Sequence, residues 1–437
     1  MTRSAAVVGG GISGLASAYR MARLGHRVTL FEGEDFLGGL GTTFPYRGGH
    51  LERFYHCIMP TDHALIGFIR DIGLEDDLLW RQTRMGFMYR RQVYPLNTVM
   101  DLLRFSPLSL TERLRMGLLG LRARAVGEAD SLDDITAADW VRETVGERAF
   151  EVLWKPLLSA KIGDHYPALP ALWLSSRMNR DKGARIEVKG CLVGGYRSLI
   201  DAIERRLREQ GVRIRLGTRI DAITRDGEGM AVTPAGDGRE RFEVVVSTLP
   251  LTLFQRATRD LGLDPRLAGL ELDYQGVVSG VFLLRRPLSR YYWMPWVDSG
   301  ATSQGAIEMS NLVPLERSRG LYVTYLVNYT HRDGELFSMP DAELLAAYRH
   351  DLESLFPGAG DGIEDQFVFR APFVEPIWTV GYRQLRPPTS VLPGKLYLAS
   401  TAQVYPRVNS WNSCIEVVNE MMRELAAETA PFPVEVG

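Results

Sequence analysis

The sequence predicts an α/β protein of two interleaved domains, opening on a strand–turn–helix–strand unit. Three observations predict it. Residues 5–43, AAVVGGGISGLASAYRMARLGHRVTLFEGEDFLGGLGTT, read strand, glycine turn, helix, strand. Residues 188–220 repeat the pattern of strand, glycine turn, helix and strand, whereas residues 268–384 become β-rich and aromatic. The chain has 437 residues, which is long for one hydrophobic core and favours two domains.

The first unit sets the chemistry. The apolar run 5–8 is a buried parallel strand. Gly9, Gly11 and Gly14 follow in G-x-G-x-x-G spacing around Ile12 and Ser13. Gly9 permits the tight turn, Gly11 lets a pyrophosphate approach the backbone, and Gly14 lets helix and strand pack closely. The helix N-terminus offers free N–H groups to the phosphates. Leu15, Tyr19 and Ala22 mark the helix and Gly25 stops it. The strand 27–31 ends at Glu32, placed for a ribose hydroxyl. A second glycine cluster, Gly38, Gly39 and Gly41 with Thr42, comes directly after that acid.

Composition bounds the rest. Lys+Arg of 51 against Asp+Glu of 53 leaves net −2, so no global field calls for nucleic acid. Cys57, Cys191 and Cys414 stand far apart with no zinc spacing, so no metal site is expected and a reduced, cytoplasmic setting is. The early first strand leaves no room for a signal peptide, and no apolar run is long enough to span a bilayer.

Further along, 48–54 read as a turn into a strand. A helix follows, capped by Thr61 or Asp62, with Leu65, Ile66, Ile69 and Ile72 on its apolar face. His50, Glu52, Arg53, Tyr55 and His56 form a dense polar cluster at that strand and its exit. Two readings stand: a hydrogen-bonded polar edge, or a strand beside a cofactor facing substrate. Residues 84–96 read as a hairpin turning at Arg90 and Arg91. Residues 97–127 turn helical, divided by Pro107. The second of these helices starts at Thr111 and carries Leu114, Leu118 and Leu121 among arginines. It reads as a core-packing helix with a solvated face, the alternative being a helix lying on a membrane surface. A helix at 135–148 precedes FEVLWKPLLSAKIG, where Pro156 breaks the helix and Lys161 is either an anion-binding cation or a surface lysine. Trp173, Arg177, Asn179 and Arg180 follow on a helix with polar groups for a substrate.

The later segments read as strand-like over 211–224, a hairpin, a buried strand over 242–250, then the β-rich stretch with a helix at 337–355. Tyr291, Tyr292, Trp293 and Trp296 are candidates for stacking on a ligand, or core. The chain closes on a strand at 396–399, a capping region at 409–412 and a helix at 413–425.

The glycine pair plus Thr42 resembles the FAD-binding start of the flavin amine oxidase superfamily, which includes protoporphyrinogen oxidases, phytoene desaturases and UDP-galactopyranose mutases. Trp154, Pro156, Leu157, Leu158 and Lys161 resemble a W-x-P-L-L-x-x-K segment of protoporphyrinogen oxidase-like proteins. Gln403, Tyr405, Pro406 and Asn412 resemble their C-terminal loop. Two departures stand: Leu40 replaces a frequent arginine, and Val408, Asn409 and Ser410 replace a more acidic, glycine-containing loop. The resemblance implies a Rossmann-like FAD-binding domain of discontinuous segments (1–90, 189–265, 385–437). It implies an inserted α+β substrate domain, helical over 91–188 and β-rich over 266–384. It places Arg219 and Ile220 by the adenine, and Asn412 and Ser413 at a helix N-terminus aimed at the flavin.

The implied function is an FAD-dependent oxidoreductase that takes a hydride from a small biosynthetic intermediate, a sugar-containing one among the candidates. His56 or Tyr55 is the candidate base or positioning group, and Lys161 the candidate anion holder. The alternative is a flavin-dependent sugar mutase without net redox change, and a third reading is a flavin-binding protein without catalysis. Peripheral membrane contact stays open, and the sequence leaves the oligomeric state undetermined.

Overall fold

The computed structural model describes residues 2–180, 187–236 and 238–429. Its first sheet has six strands in the order Ser390–Leu392, Leu396–Leu398, Val244–Ser247, Ser4–Val8, Arg27–Phe31, Arg213–Arg215. All neighbours run parallel except the edge strand Ser390–Leu392. The first strand lies at the centre, with Val7 between Val246 and Leu30, and Ala5, Ala6 and Val7 have no exposed surface. A strand buried on both faces explains why it reads as an unbroken apolar run. Three stretches of chain far apart in sequence meet in this sheet. The meander Ile220–Asp226, Gly229–Pro234 and Glu240–Phe242 forms a small sheet of its own.

A second sheet has seven strands in the order Ile363–Pro376, Tyr274–Leu284, Tyr322–His331, Gly305–Glu308, Trp293–Val297, Gly86–Tyr89, Gln92–Pro95. Tyr274–Leu284 is buried along its whole length between two long antiparallel neighbours. The hairpin at 86–95 turns at Arg90 and Arg91, both with positive φ, and belongs wholly to this sheet. A domain division at residue 90 would cut through it. The strand Leu78–Gln82 pairs with Val188–Leu192, tying the two halves of the chain together across the helical segment.

Helices differ from expectation in instructive ways. The helix Leu110–Val126 starts one residue before Thr111, because Ser109 and Glu112 form a reciprocal capping box. Its buried residues are Leu119 and Ala123, whereas Leu114, Leu118 and Leu121 are 59%, 55% and 60% exposed. The core-packing face was therefore misplaced. Two apolar stripes compete on this helix. The inward one, Met116–Leu119–Ala123–Val126 in spacing, wins because the helix Ala171–Arg180 locks onto it: Ser175 Oγ and Asn179 Nδ2 both donate to the Ala123 carbonyl.

Pro156 does not break its helix. It sits in the first turn of Lys155–Ile162, entered through a π-helical turn at Phe150–Trp154 that accommodates the missing N–H. Asp62 is the N-cap position of His63–Ile72, yet its carboxylate makes no cap. It accepts from the Met59 N–H and from Arg180 instead. The helix expected at 337–355 is Asp341–Leu355, after a short turn at Glu335–Ser338 and Pro340. The last helix is Trp411–Thr429, two residues earlier than expected; Ser410 Oγ accepts from the Ser413 N–H.

Candidate functional site

A cavity of about 1010 Å³ runs between the two sheets, at the upper end of the range for small-molecule sites. Residues of the first sheet line one end and residues of the second sheet line the other.

At the first end the backbone does the shaping. Gly9 has φ +108°, and a Cβ there would meet Thr248 Oγ1 at 2.4 Å. A Cβ on Gly14 would fall 1.7 Å from the Gly9 carbonyl oxygen, so only glycine lets this helix seat on its strand. Gly11 is different: a Cβ there would meet nothing nearer than 3.9 Å, and the residue faces the cavity. The open volume above it is the cradle a pyrophosphate needs. Glu32 accepts from the Gly10 N–H at 2.5 Å and the Glu34 N–H at 2.9 Å, which fixes its carboxylate on the cavity wall. Ile12, Ser13, Gly38, Arg219 and Ile220 share that wall, and so does Leu40.

Gly14, Gly39, Gly41 and Thr42 stand behind the wall rather than on it. A Cβ on Gly41 would strike the Trp411 ring at 2.1 Å, so this glycine makes room for an indole. Gly39 touches Gly11, with its would-be Cβ 3.1 Å from Gly11 Cα. Asn412 and Ser413 also lie off the wall. The Asn412 amide accepts from the Leu65 N–H at 3.0 Å and donates to Glu416 at 2.8 Å, while Ser413 Oγ donates to the Val408 carbonyl. Asn409, Ser410, Trp411 and Cys414 take the cavity-facing positions, and the N-terminus of the last helix opens onto the cavity there.

His56 lies where the two ends join. Its ring sits 4.9 Å from the Tyr196 ring and 6.1 Å from the Trp411 ring. Nδ1 is 3.0 Å from the Phe54 carbonyl oxygen. A carbonyl only accepts, so Nδ1 carries the proton and Nε2 keeps a free lone pair. Burial lowers the pKa of this imidazole, with the Phe54 carbonyl and Glu52 opposing.

Side chains dominate the second end. The Tyr55 and Tyr329 hydroxyls are 2.8 Å apart. Burial pushes the Tyr55 phenol well up and the Tyr329 phenol to about 12, so both stay protonated near neutrality. Lys161 Nζ lies 2.9 Å from Glu375 Oε2 and 4.0 Å from the centroid of the Tyr329 ring. Glu375 is 1% exposed and its other oxygen has no partner among the described residues. Lys161 is thus neither a free surface lysine nor an open cation: its anion is built in, which leaves it a poor anion holder. Arg177 stacks over Trp173 at 5.7 Å and has no ionic partner among the described residues. Asn179 points away to Ala123, and Arg180 is paired with the buried Asp62. Of the four candidate aromatics, Tyr292 and Trp293 reach the cavity, while Tyr291 and Trp296 are core. Ser279 Oγ, buried and without a hydrogen-bond partner among the described residues, also faces this end, as does the buried Tyr292 hydroxyl.

Tyr329, Glu375, Ser279 and Trp411 were not singled out from sequence. The first three alternate with core residues along long strands, so nothing local marks them. Trp411 had a signal: a bulky ring at the start of a helix, opposite a glycine-rich turn. Among the described residues no group of three His, Cys, Asp or Glu could hold a metal. No helix among them is long and apolar enough to cross a membrane.

Residues 12–408 match the family of flavin containing amine oxidoreductases. The chain is 24% identical to a coproporphyrinogen III oxidase of Staphylococcus aureus, over 96% of each chain. It is 26% identical to a flavin-dependent L-tryptophan oxidase of Lentzea aerocolonigenes, over 77% of each. A protein of Exiguobacterium sp. 255-15, provisionally assigned as a protoporphyrinogen oxidase, superposes with a TM-score of 0.76 at 22% identity, covering 98% of this chain and 99% of that one. Putrescine oxidase superposes with 0.75 at 16%, covering 98% and 100%. With a glycine cradle, a fixed acid beside it, a cavity continuing past them into an aromatic chamber and the family match over most of its length, the chain belongs to the flavin containing amine oxidoreductases and is an FAD-dependent oxidoreductase.

Proposed function

We propose that the enzyme oxidises a C–H bond of a small aromatic or largely apolar molecule that carries an anionic group. The observation that carries this reading is the chamber beyond His56. Trp154, Trp173, Tyr292, Trp293 and Tyr329 wall it, Lys161 is neutralised by Glu375, and the Arg177 guanidinium has no ionic partner among the described residues. A guanidinium flanked by rings suits a carboxylate attached to a flat body. The L-tryptophan oxidase among the relatives acts on a molecule of that kind, which supports the class.

FAD supplies the two-electron acceptor when bound. Gly9, Gly11, Ile12, Ser13 and Gly38 would hold its pyrophosphate, Gly14, Gly39, Gly41 and Thr42 would keep that turn in shape, and Glu32 would hold the ribose. Arg219 and Ile220 would stand beside the adenine, and the N-terminus of Trp411–Thr429 would supply a positive dipole end to a bound flavin. Asn412 and Ser413 act by fixing that terminus. His56, neutral with Nε2 free, accepts the substrate proton. Tyr55 and Tyr329 donate hydrogen bonds and position, since neither ionises near neutrality.

The test is an anaerobic absorbance screen of the holoenzyme. Aromatic carboxylates and amino acids, their neutral amides, sugar nucleotides and NADPH are added separately. Bleaching by a carboxylate, with its amide about tenfold to 100-fold slower, is expected for a lost charged hydrogen bond. Equal rates for acid and amide would overturn the anionic class. Bleaching by NADPH alone, with a sugar nucleotide isomerised afterwards, would replace an oxidase with a mutase.

A further inference from the structure

The helix Leu110–Val126 presents to solvent a stripe that soluble proteins ordinarily bury. Leu110, Leu114, Leu118 and Leu121 are 61%, 59%, 55% and 60% exposed and follow one another at helical spacing. They cover about 17 Å of helix at about 1.5 Å per residue. Val99 and Met100, on the neighbouring helix Val99–Leu103, are also 60% and 53% exposed. The other side of the helix is firmly seated through Leu119, Ala123 and the Asn179 bond, so the stripe is not a loosely docked element awaiting its core.

Charge selects the occupant. Between residues 99 and 127 five arginines stand against two acids, in a chain of net −2. Both acids are engaged: Asp101 caps its own helix, and Glu112 caps the next one and pairs with Arg148. Arg104, Arg115 and Arg124 are exposed and have no ionic partner among the described residues. A symmetric contact with a second copy would set these arginines against their like. An anionic lipid surface takes both parts at once: leucines enter the acyl boundary while arginine stems extend to the headgroups.

We propose that this face docks the enzyme on anionic phospholipid membranes. The docked helix would lie one layer outside the cavity wall, because its partner Ala171–Arg180 carries Trp173, Leu174, Arg177 and Met178 into the cavity. The docking does not depend on the substrate class above, and its test does not read activity.

The experiment is co-sedimentation of the holoprotein with phosphatidylcholine vesicles, with or without about 30% phosphatidylglycerol. Binding is expected with the anionic vesicles. It should fall at least about tenfold without phosphatidylglycerol, at high salt, with Leu114→Gln/Leu118→Gln/Leu121→Gln, and with Arg104→Gln/Arg115→Gln/Arg124→Gln. Flavin absorbance and thermal unfolding should match the parent in both variants. Leu118→Cys carrying an environment-sensitive dye gives a second reading, a blue shift on adding anionic vesicles, should the leucine variant fold poorly. The proposal is overturned if the parent protein ignores anionic vesicles or the folded leucine variant binds like the parent. A lipid-free dimer abolished by the leucine substitutions would also overturn it, giving the face to a second copy.

Discussion

The two ends of the cavity are built by different rules. At the nucleotide end the wall is backbone: glycines, amide N–H groups and one acid held by two of them. At the substrate end it is side chains delivered by Lys155–Ile162, Ala171–Arg180, Tyr322–His331 and Ile363–Pro376. A backbone site within one turn-helix unit suits groups that every FAD carries. An end assembled from remote elements can change one residue at a time without disturbing the cradle. The chemistry that distinguishes members of this fold should therefore concentrate at the second end.

The sharpest way to break that comparison lies among the glycines. Gly14→Val should abolish flavin binding and destabilise the fold by more than about 3 kcal/mol, since its side chain would enter the Gly9 carbonyl. Gly11→Ala should leave thermal unfolding of the apoprotein unchanged while weakening FAD at least about tenfold, because only the ligand competes for that space. Flavin absorbance per protein and melting temperature separate the two. A flavin-replete Gly11→Ala enzyme would show that the turn does not hold the pyrophosphate.

At the substrate end the largest effect should come from Lys161→Met. It strands Glu375, buried and with one oxygen already unpartnered, and should cost about 3–5 kcal/mol. Lys161→Met/Glu375→Leu should recover much of that loss, because the buried charge goes too. Urea unfolding of the three proteins measures it. Retained flavin absorbance in the double variant would sharpen the division between the ends, and a lost spectrum would dissolve it.

The same division explains what the sequence made readable. Gly9, Gly11, Gly14 and Glu32 act within one strand-turn-helix-strand unit, so their spacing encodes their geometry. Gly41 looked like part of the phosphate turn, yet its reason is Trp411 at the other end of the chain. Lys161 looked free because Glu375 sits on a distant strand whose pairing no local pattern fixes. The helix Leu110–Val126 carries two apolar stripes of equal periodicity, and contacts with distant helices, those of Ser175, Asn179 and Thr144 among them, decide which is inside. Local rules predicted local contacts, and tertiary choices between equivalent faces lay beyond them.

His56 tests the junction of the two ends. His56→Asn should slow substrate-driven flavin reduction about 100-fold with flavin retained, the lower range for loss of a general base. Because burial lowers this imidazole's pKa, the free base persists on the acid side of the ordinary histidine range. The acid limb of kcat/KM should lie below about pH 6.5 and vanish in the variant. An unchanged limb would assign it to another group and leave His56 a positioning role.

The smallest effect concerns the sheet beneath the substrate end. Glu308 is 2% exposed beside the wall residue Ile307, and burial raises its carboxyl from 4.5 to about 7. N–H donors from Leu288 and Ser289, at 2.8 and 2.9 Å, oppose the shift without cancelling it. Folding therefore favours the protonated acid. The contribution to stability is complete below about pH 4.5 and is lost as pH rises through about 7. Between about pH 5.5 and 8 the fold should lose about 2 kcal/mol from this group alone. Glu308→Gln, which cannot ionise, should flatten that slope even though its amide forfeits an acceptor. Parallel stability curves for parent and variant would mean that the second sheet holds Glu308 charged, and that its donors, not its burial, set the balance.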